Sequence, residues 1–332
     1  MKNKIAPVML FVFNRPDKLS KVFEVIKKVK PETLILVSDG PRTSIPNEKY
    51  LVEESRRIVD NIDWVCDVHK IYSEINQGLY TTMWDAFDYI FSLFDRVIVL
   101  EDDVVPTESF FTFTSELLEK YKDDKRIQRI SGMNFLGEYP LDLNKDYFFA
   151  KEASIWGFAF WKRIYLDFDR GHKYSGEYVD DQMKSKMPKQ VYKEYMNYQK
   201  SGYSNGHMAG LEYFFGLHKH LYNTTCVIPR KNLISNIGFG MDSMHSNDLK
   251  TMPKGQRRMF NMETSEINLL NYNDHIIEDN KYNKKVLRIT GTGHPIIILY
   301  RKIVLLSKIF IHLGILGVLN KIKKKMKTKN ET

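Results

Sequence analysis

Cysteine is nearly absent: Cys66 and Cys226 are the only two, far apart in the chain, so neither a disulfide framework nor a chelating thiol pair is available. A reducing, cytoplasmic setting is the expectation that follows. Glycine is missing where a phosphate loop would need it. Directly after the first apolar run stands Phe13-Asn14-Arg15-Pro16-Asp17, with no glycine-rich, basic turn to hold a triphosphate. That counts against a sugar-phosphate nucleotidyltransferase. Internal repeats and low-complexity tracts are missing too, which excludes a solenoid and a disordered chain.

There is also no long apolar run free of charge. Ile296 to Leu319 is interrupted by Arg301, Lys302 and Lys308, and falls short of the roughly 18 residues that a spanning helix needs. At the other end a basic start, Met1 to Lys4, precedes the apolar run Ile5 to Phe13, which breaks at Asn14-Arg15-Pro16 without a small-residue cleavage site. It reads as a first strand, not a signal peptide.

What is present is 332 residues with 43% hydrophobic and 13% aromatic content, enough for one large α/β domain with an appendage. The net charge of +9 is unevenly spread. Lys321, Lys323, Lys324, Lys325, Lys327 and Lys329 follow the C-terminal apolar stretch, whereas acids crowd residues 85 to 125. With Arg301, Lys308 and His312 recurring on one side of a helix, the tail predicts an amphipathic segment lying on an anionic membrane surface, or else docked on the protein's own body. Nucleic acid is not an expected partner. A non-enzymatic basic lipid- or nucleic-acid-binding module is the bland alternative, and it leaves the acids unexplained.

Pattern along the chain predicts a strand at Pro7 to Phe13, a helix at Asp17 to Lys30 and a strand at Thr33 to Val37. A helix at Asn47 to Ile62, a strand at Val68 to Tyr72, a helix after Asn76-Gln77-Gly78 and a buried strand at Arg96 to Leu100 follow. This rhythm implies a mostly parallel sheet flanked by helices. Residues 1 to 126 form an expected nucleotide-binding half and 127 to 250 an acceptor half. Residues 251 to 285 are expected to connect to the tail at 286 to 332.

The fourth strand ends on Glu101-Asp102-Asp103, and ligands of open α/β sheets sit at the carboxyl ends of strands. A departing nucleoside diphosphate needs its charge neutralised. Mg2+ or Mn2+ held by one or two carboxylates and the substrate's phosphates does this. Asp103 is the expected direct ligand, with Asp102 and Glu101 orienting ribose, sugar or metal-bound water. The competing possibility is that the acids only cap the following turn, near Glu108 and Ser109.

Val97 to Asp103, followed by Pro106 and Phe110-Phe111, resembles the metal-binding stretch of GT-A glycosyltransferases, most closely the N-acetylglucosaminyltransferase I type. Phe13-Asn14-Arg15-Pro16, Ser38-Asp39-Gly40 and Gln77-Gly78-Leu79-Tyr80 are similar in order to that family's nucleotide-binding half. Ser131-Gly132-Met133-Asn134, Trp156-Gly157-Phe158 and Asn236 to Gly240 with His245 continue the order. Similar bacterial surface-polysaccharide transferases match in the same places.

The resemblance implies a nucleotide-sugar donor, a UDP-sugar first among candidates, and inversion at the anomeric carbon. The acceptor would be a glycan, lipid-linked if the tail meets a membrane. Phe13, Arg15 and Asp39 would contact the nucleotide, although a plain salt bridge or turn cap explains Arg15 and Asp39 as well. Gln77 and Gly78 would offer N–H groups to phosphate, Asn134 and Trp156 would line the donor site, and His245 would reach the metal. Glu212 is the expected catalytic base, standing where the family carries an aspartate, with Asp180 and Asp181 as fallbacks.

Overall fold

The computed structural model describes residues 4–140, 145–168, 170, 176–187, 189, 192–193, 195–196, 210–238, 254–290 and a few isolated positions from 296 to 311. Among these, every element expected between residues 7 and 101 is present. The strands are β1 (Val8–Val12), β2 (Thr33–Ser38), β3 (Asp67–Tyr72) and β4 (Arg96–Glu101), separated by helices α1 (Pro16–Val29), α2 (Glu48–Asp60) and α3 (Leu79–Leu93).

Strands β1, β2 and β4 are short and nearly all apolar because both faces of the sheet are covered there, whereas the edge strand β3 is polar and only partly buried. Val8, Met9, Leu10, Leu34, Ile35, Leu36, Ile98 and Leu100 are fully enclosed. Helix α1 starts on Pro16, carries Asp17 in its first turn and Lys27 and Lys28 in its last, and so opposes charge to its dipole at both ends. It buries Leu19, Val22, Phe23 and Ile26, each contributing about 1.5–3 kcal/mol.

The chain continues through β5 (Val104–Pro106), α4 (Glu108–Lys120), β6 (Ile127–Ser131), β7 (Tyr147–Ala150), β8 (Phe158–Trp161), β9 (Thr225–Pro229) and β10 (Ile234–Asn236). Eight strands form one sheet in the order β3-β2-β1-β4-β8-β6-β9-β7. Pairings among β1 to β4 are parallel, as is β6 with β9, while β8 runs antiparallel between β4 and β6 and β7 antiparallel to β9. The fold is therefore α/β, a mostly parallel, Rossmann-like sheet flanked by helices.

A second, two-stranded ladder of β5 and β10 stands beside the end of β4. Gly157 lies under it with φ +56°, and a Cβ there would come within 3.0 Å of Ile234 Cγ2 and 3.3 Å of Val104 Cγ1. Glycine meets both demands.

Residues 254–278 lie along this body. Glu266 accepts from the N–H groups of Glu108 and Ser109, and Met259, Met262, Ile267, Leu270 and Ile276 pack on the main core. A helix at Asn280–Thr290 inserts Tyr282 and Val286 beside Tyr139, Phe148 and Ile228, so the start of the expected tail is docked on the sheet edge. Most of the rest of the tail lies outside the described residues. Among the described residues no helix is long and apolar enough to cross a membrane. Both cysteines are free thiols.

Candidate active site

The acids after β4 do not cap a helix. Helix α4 is capped by Thr107, whose side chain accepts from the Phe110 N–H at 3.2 Å, with Glu266 taking the two preceding donors, the N–H groups of Glu108 and Ser109. Asp102 and Asp103 instead turn into the body and are buried. Asp102 Oδ2 accepts from the Phe13 N–H at 3.2 Å. Arg15 Nη1 donates to Asp103 Oδ2 and lies 3.5 Å from Asp102 Oδ1.

Asp103 Oδ1 is buried without any hydrogen-bond partner. An ionised oxygen in that condition is expensive, which makes it the natural place for a cation. The β5–β10 ladder carries Asn236 opposite Val104 and lays the next residues over the acid. The Ile237 N–H donates to the Asp103 carbonyl at 2.8 Å, and a Cβ on Gly238 would stand 2.0 Å from Asp103 Oδ2.

Charge is unbalanced at this corner. Burial, then the charges of Asp103, Asp102 and Glu212, push Glu101 up to about 8. Burial raises Asp102 to about 7 and raises Asp103 as well, against the lowering pull of Arg15 and Lys18 on both. If all were ionised, four carboxylates would face two cationic side chains; the corner holds protons instead, and one divalent ion would close the same deficit in their place. Among the described residues no three His, Cys, Asp or Glu side chains form a ready-made metal cage. The orphaned Asp103 oxygen and the room left by Gly238 fit an ion of the Mg2+ or Mn2+ kind, which takes one or two carboxylates and completes its shell from phosphates and water.

Asp39, at the end of β2, behaves differently. Its Oδ1 accepts from the N–H groups of Gly40 at 2.8 Å and Gln77 at 2.9 Å. Its Oδ2 accepts from the Gly78 N–H at 2.8 Å and Asn76 Nδ2 at 2.9 Å. Gly78, at φ +87°, turns the chain for this contact. The N–H groups of Gln77 and Gly78 are therefore spent on Asp39, not offered to a phosphate, and Asp39 has no lone pair left for a base. Phe13 is half-buried beneath Arg42, whose guanidinium lies 5.6 Å from its ring and is paired with the buried Glu48. Beyond Arg42 opens a cavity of about 590 Å³ lined by Arg42, Lys49, Arg56 and Asn76 among others.

Glu212 is brought to the acidic corner by packing. It sits in the first turn of the helix Leu211–Leu221, whose Phe214 and Phe215 wedge against Trp84 and Phe158 at 5.0 and 5.6 Å between ring centres. Its carboxylate is exposed but adds to the charge felt by Glu101. The ring of Tyr80 lies beside it, the two meeting over Gly210. Of the fallback bases, Asp180 accepts from Tyr195 at 3.3 Å and Asp181 is exposed.

Asn134 is fully buried and occupied. It donates to the carbonyls of Pro229 and Arg230 and accepts from the Leu136 N–H, so its role is to tie the end of β9. Trp156 is half-buried against Phe260, 4.9 Å between ring centres. His245 lies outside the described residues. Lys18, Tyr80 and Gly238 join the corner without having been given a role. Tyr80 and Gly238 lay inside motifs noted in the sequence, and Lys18 had its place one helical turn beyond Arg15 as a signal.

No family model matches the sequence, and none of the curated proteins matches it. Solved structures with some likeness include a UDP-glucose pyrophosphorylase complexed with UDP-glucose, at 11% identity over 70% of this chain and 93% of that one, TM-score 0.36. HddC from Yersinia pseudotuberculosis shares 14% identity over 49% of this chain and 80% of that one, TM-score 0.31. At these scores the likeness supports no conclusion about fold or activity.

Proposed function

We propose that this chain is a metal-dependent glycosyltransferase that moves a sugar from a nucleotide-sugar donor, a UDP-sugar first among candidates, to a glycan acceptor. The observation that carries this reading is Asp103 Oδ1, buried and unpartnered at the end of a sheet strand, inside an excess of carboxylate. Asp103 and Asp102 would hold Mn2+ or Mg2+, which supplies charge neutralisation to the departing diphosphate. Arg15 and Lys18, at the start of α1, would add positive charge on the same side.

Glu212, near enough for its charge to act on Glu101, would be the base. The acceptor hydroxyl oxygen attacks the anomeric carbon while the bond from that carbon to the diphosphate oxygen breaks. The bonding pair leaves with the diphosphate and the hydroxyl proton passes to Glu212. Displacement from the face opposite the leaving group inverts the configuration. Trp156 would wall the sugar pocket, and His245 would reach the metal from the chain after Gly238.

A lipid-linked acceptor and a peripheral place on an anionic membrane are part of the same reading. Ile296, Leu299, Tyr300, Ile303 and Ile311 are exposed along the apolar stretch that leads to the lysine run. Removing residues 295–332 is expected to abolish co-sedimentation with anionic vesicles.

The test of the central reading is a thermal-shift panel of UDP, GDP, CDP and ADP, each with and without Mn2+. The expected outcome is a metal-dependent rise with one diphosphate in the wild type, absent in Asp103→Asn. With UTP, GTP, CTP and ATP added to the panel, stabilisation by a triphosphate and by no diphosphate would turn the assignment to a nucleotidyltransferase.

A further inference from the structure

Arg15 stands where a metal ion would have to bind. Its Nη1 donates to Asp103 Oδ2 and lies 3.5 Å from Asp102 Oδ1, bridging the two carboxylates best placed to hold a cation. Its charge thus lies against two buried carboxylates in succession at the end of β4. The guanidinium therefore does electrostatically what a divalent ion would do, though with half the charge. It is not locked in: its side chain is 20% exposed, and it belongs to the short turn between β1 and α1.

A divalent ion held by Asp103 and reaching Asp102 must share their oxygens with this guanidinium, and two cations on one carboxylate repel. Asp103 Oδ1 gives such an ion a first foothold that Arg15 does not occupy.

We infer that Arg15 is a built-in counter-ion that competes with the divalent metal for Asp102 and Asp103. The inference rests on the metal-dependent reading above. Metal binding displaces the guanidinium, and the displaced group, beside Lys18, then faces whatever anion the metal carries. Metal and nucleoside diphosphate consequently bind with positive coupling. Metal alone must evict Arg15 without compensation, whereas a diphosphate gives the guanidinium a new anion. The arrangement keeps the corner folded without its ion and makes tight metal binding conditional on substrate.

Mn2+ titration of the full chain, followed by the electron paramagnetic resonance of free Mn2+, tests this directly. Removing one competing positive charge predicts that Arg15→Gln binds Mn2+ alone about tenfold more tightly than the wild type. The added tightening that the wild type gains from its preferred diphosphate in the panel above is mostly lost. A purely structural Arg15 predicts the reverse, weaker Mn2+ binding because the carboxylates lose their alignment. Equal or weaker Mn2+ binding by Arg15→Gln, with a cooperative melt retained, overturns the proposal and leaves the metal reading standing.

If Arg15→Gln does not fold, Arg15→Lys decides, because a point charge on a shorter stem cannot bridge both acids. Tighter Mn2+ binding than the wild type is then expected, and unchanged or weaker binding overturns the proposal. Absence of Mn2+ binding in the wild type even with the nucleoside diphosphate present, and in Arg15→Gln as well, overturns the metal reading and the proposal with it.

Discussion

Asp39 after β2 and Asp103 after β4 are carboxylates of one chemistry on neighbouring parts of one sheet edge, yet their surroundings differ. Asp39 is saturated by four donors from the loops at 40 and 76–78, so its charge is used inside the protein. Asp103 has one oxygen on Arg15 and the other on nothing, beside two further strand-end acids. A carboxylate whose lone pairs are filled by backbone N–H groups stabilises its ionised form and holds loops together. One left short of donors raises the cost of its own charge until a cation arrives.

Breaking each site should therefore produce opposite results. The largest effect is expected for Asp103→Asn, a fall in turnover of about a thousandfold, equivalent to about 4 kcal/mol of lost transition-state stabilisation, in initial-rate assays. The metal-free variant should melt no lower than the wild type, because a buried charge short of partners has been removed.

Asp39→Ala should do the reverse. Leaving Gly40, Gln77 and Gly78 without their acceptor is expected to cost about 3 kcal/mol in urea unfolding, with the Mn2+-induced rise in melting temperature preserved.

pH sharpens the contrast. Glu101 and Asp102 lie at about 8 and about 7 in the folded protein, above ordinary carboxylates, so between roughly pH 4 and 8 the folded state holds protons that the unfolded chain has released. Metal-free stability should fall as pH rises through that window. Mn2+ displaces those protons, so its affinity should climb from pH 6 to 8 and level off above, which calorimetric titration at stepped pH reads out.

The smallest effect is expected for Gly238→Ala. A methyl 2.0 Å from Asp103 Oδ2 must push that oxygen off its place, weakening Mn2+ binding about tenfold with little change in melting temperature.

The first half of the sheet was legible because β1, β2 and β4 are continuous apolar runs whose pattern alone identifies buried parallel strands. The acids after β4 stood out for the same reason, three charges ending an apolar run. The second half was less readable. Tyr147–Ala150 and Thr225–Pro229 are four- and five-residue strands whose antiparallel pairing is decided by distant partners, with no alternation to announce it.

Asp39 was read from sequence as a nucleotide contact or a turn cap, and its saturation was not legible because the donors that fill it arrive from Asn76 to Gly78 through the pairing of β2 with β3. Gly238 lay in a noted motif, but its closeness to Asp103 was not legible, because it comes from the β5–β10 ladder and not from its neighbours in the chain. Asn134 matched a motif by order but is consumed by the carbonyls that end β9.

Crystals soaked in Mn2+ with the stabilising nucleoside diphosphate, measured at the manganese absorption edge, address the central claim most directly. The account predicts an anomalous peak bonded to Asp103, with the Arg15 guanidinium turned from the carboxylates toward the phosphates. A peak elsewhere, or a bound diphosphate with Arg15 still on Asp103 and no metal beside it, would contradict it.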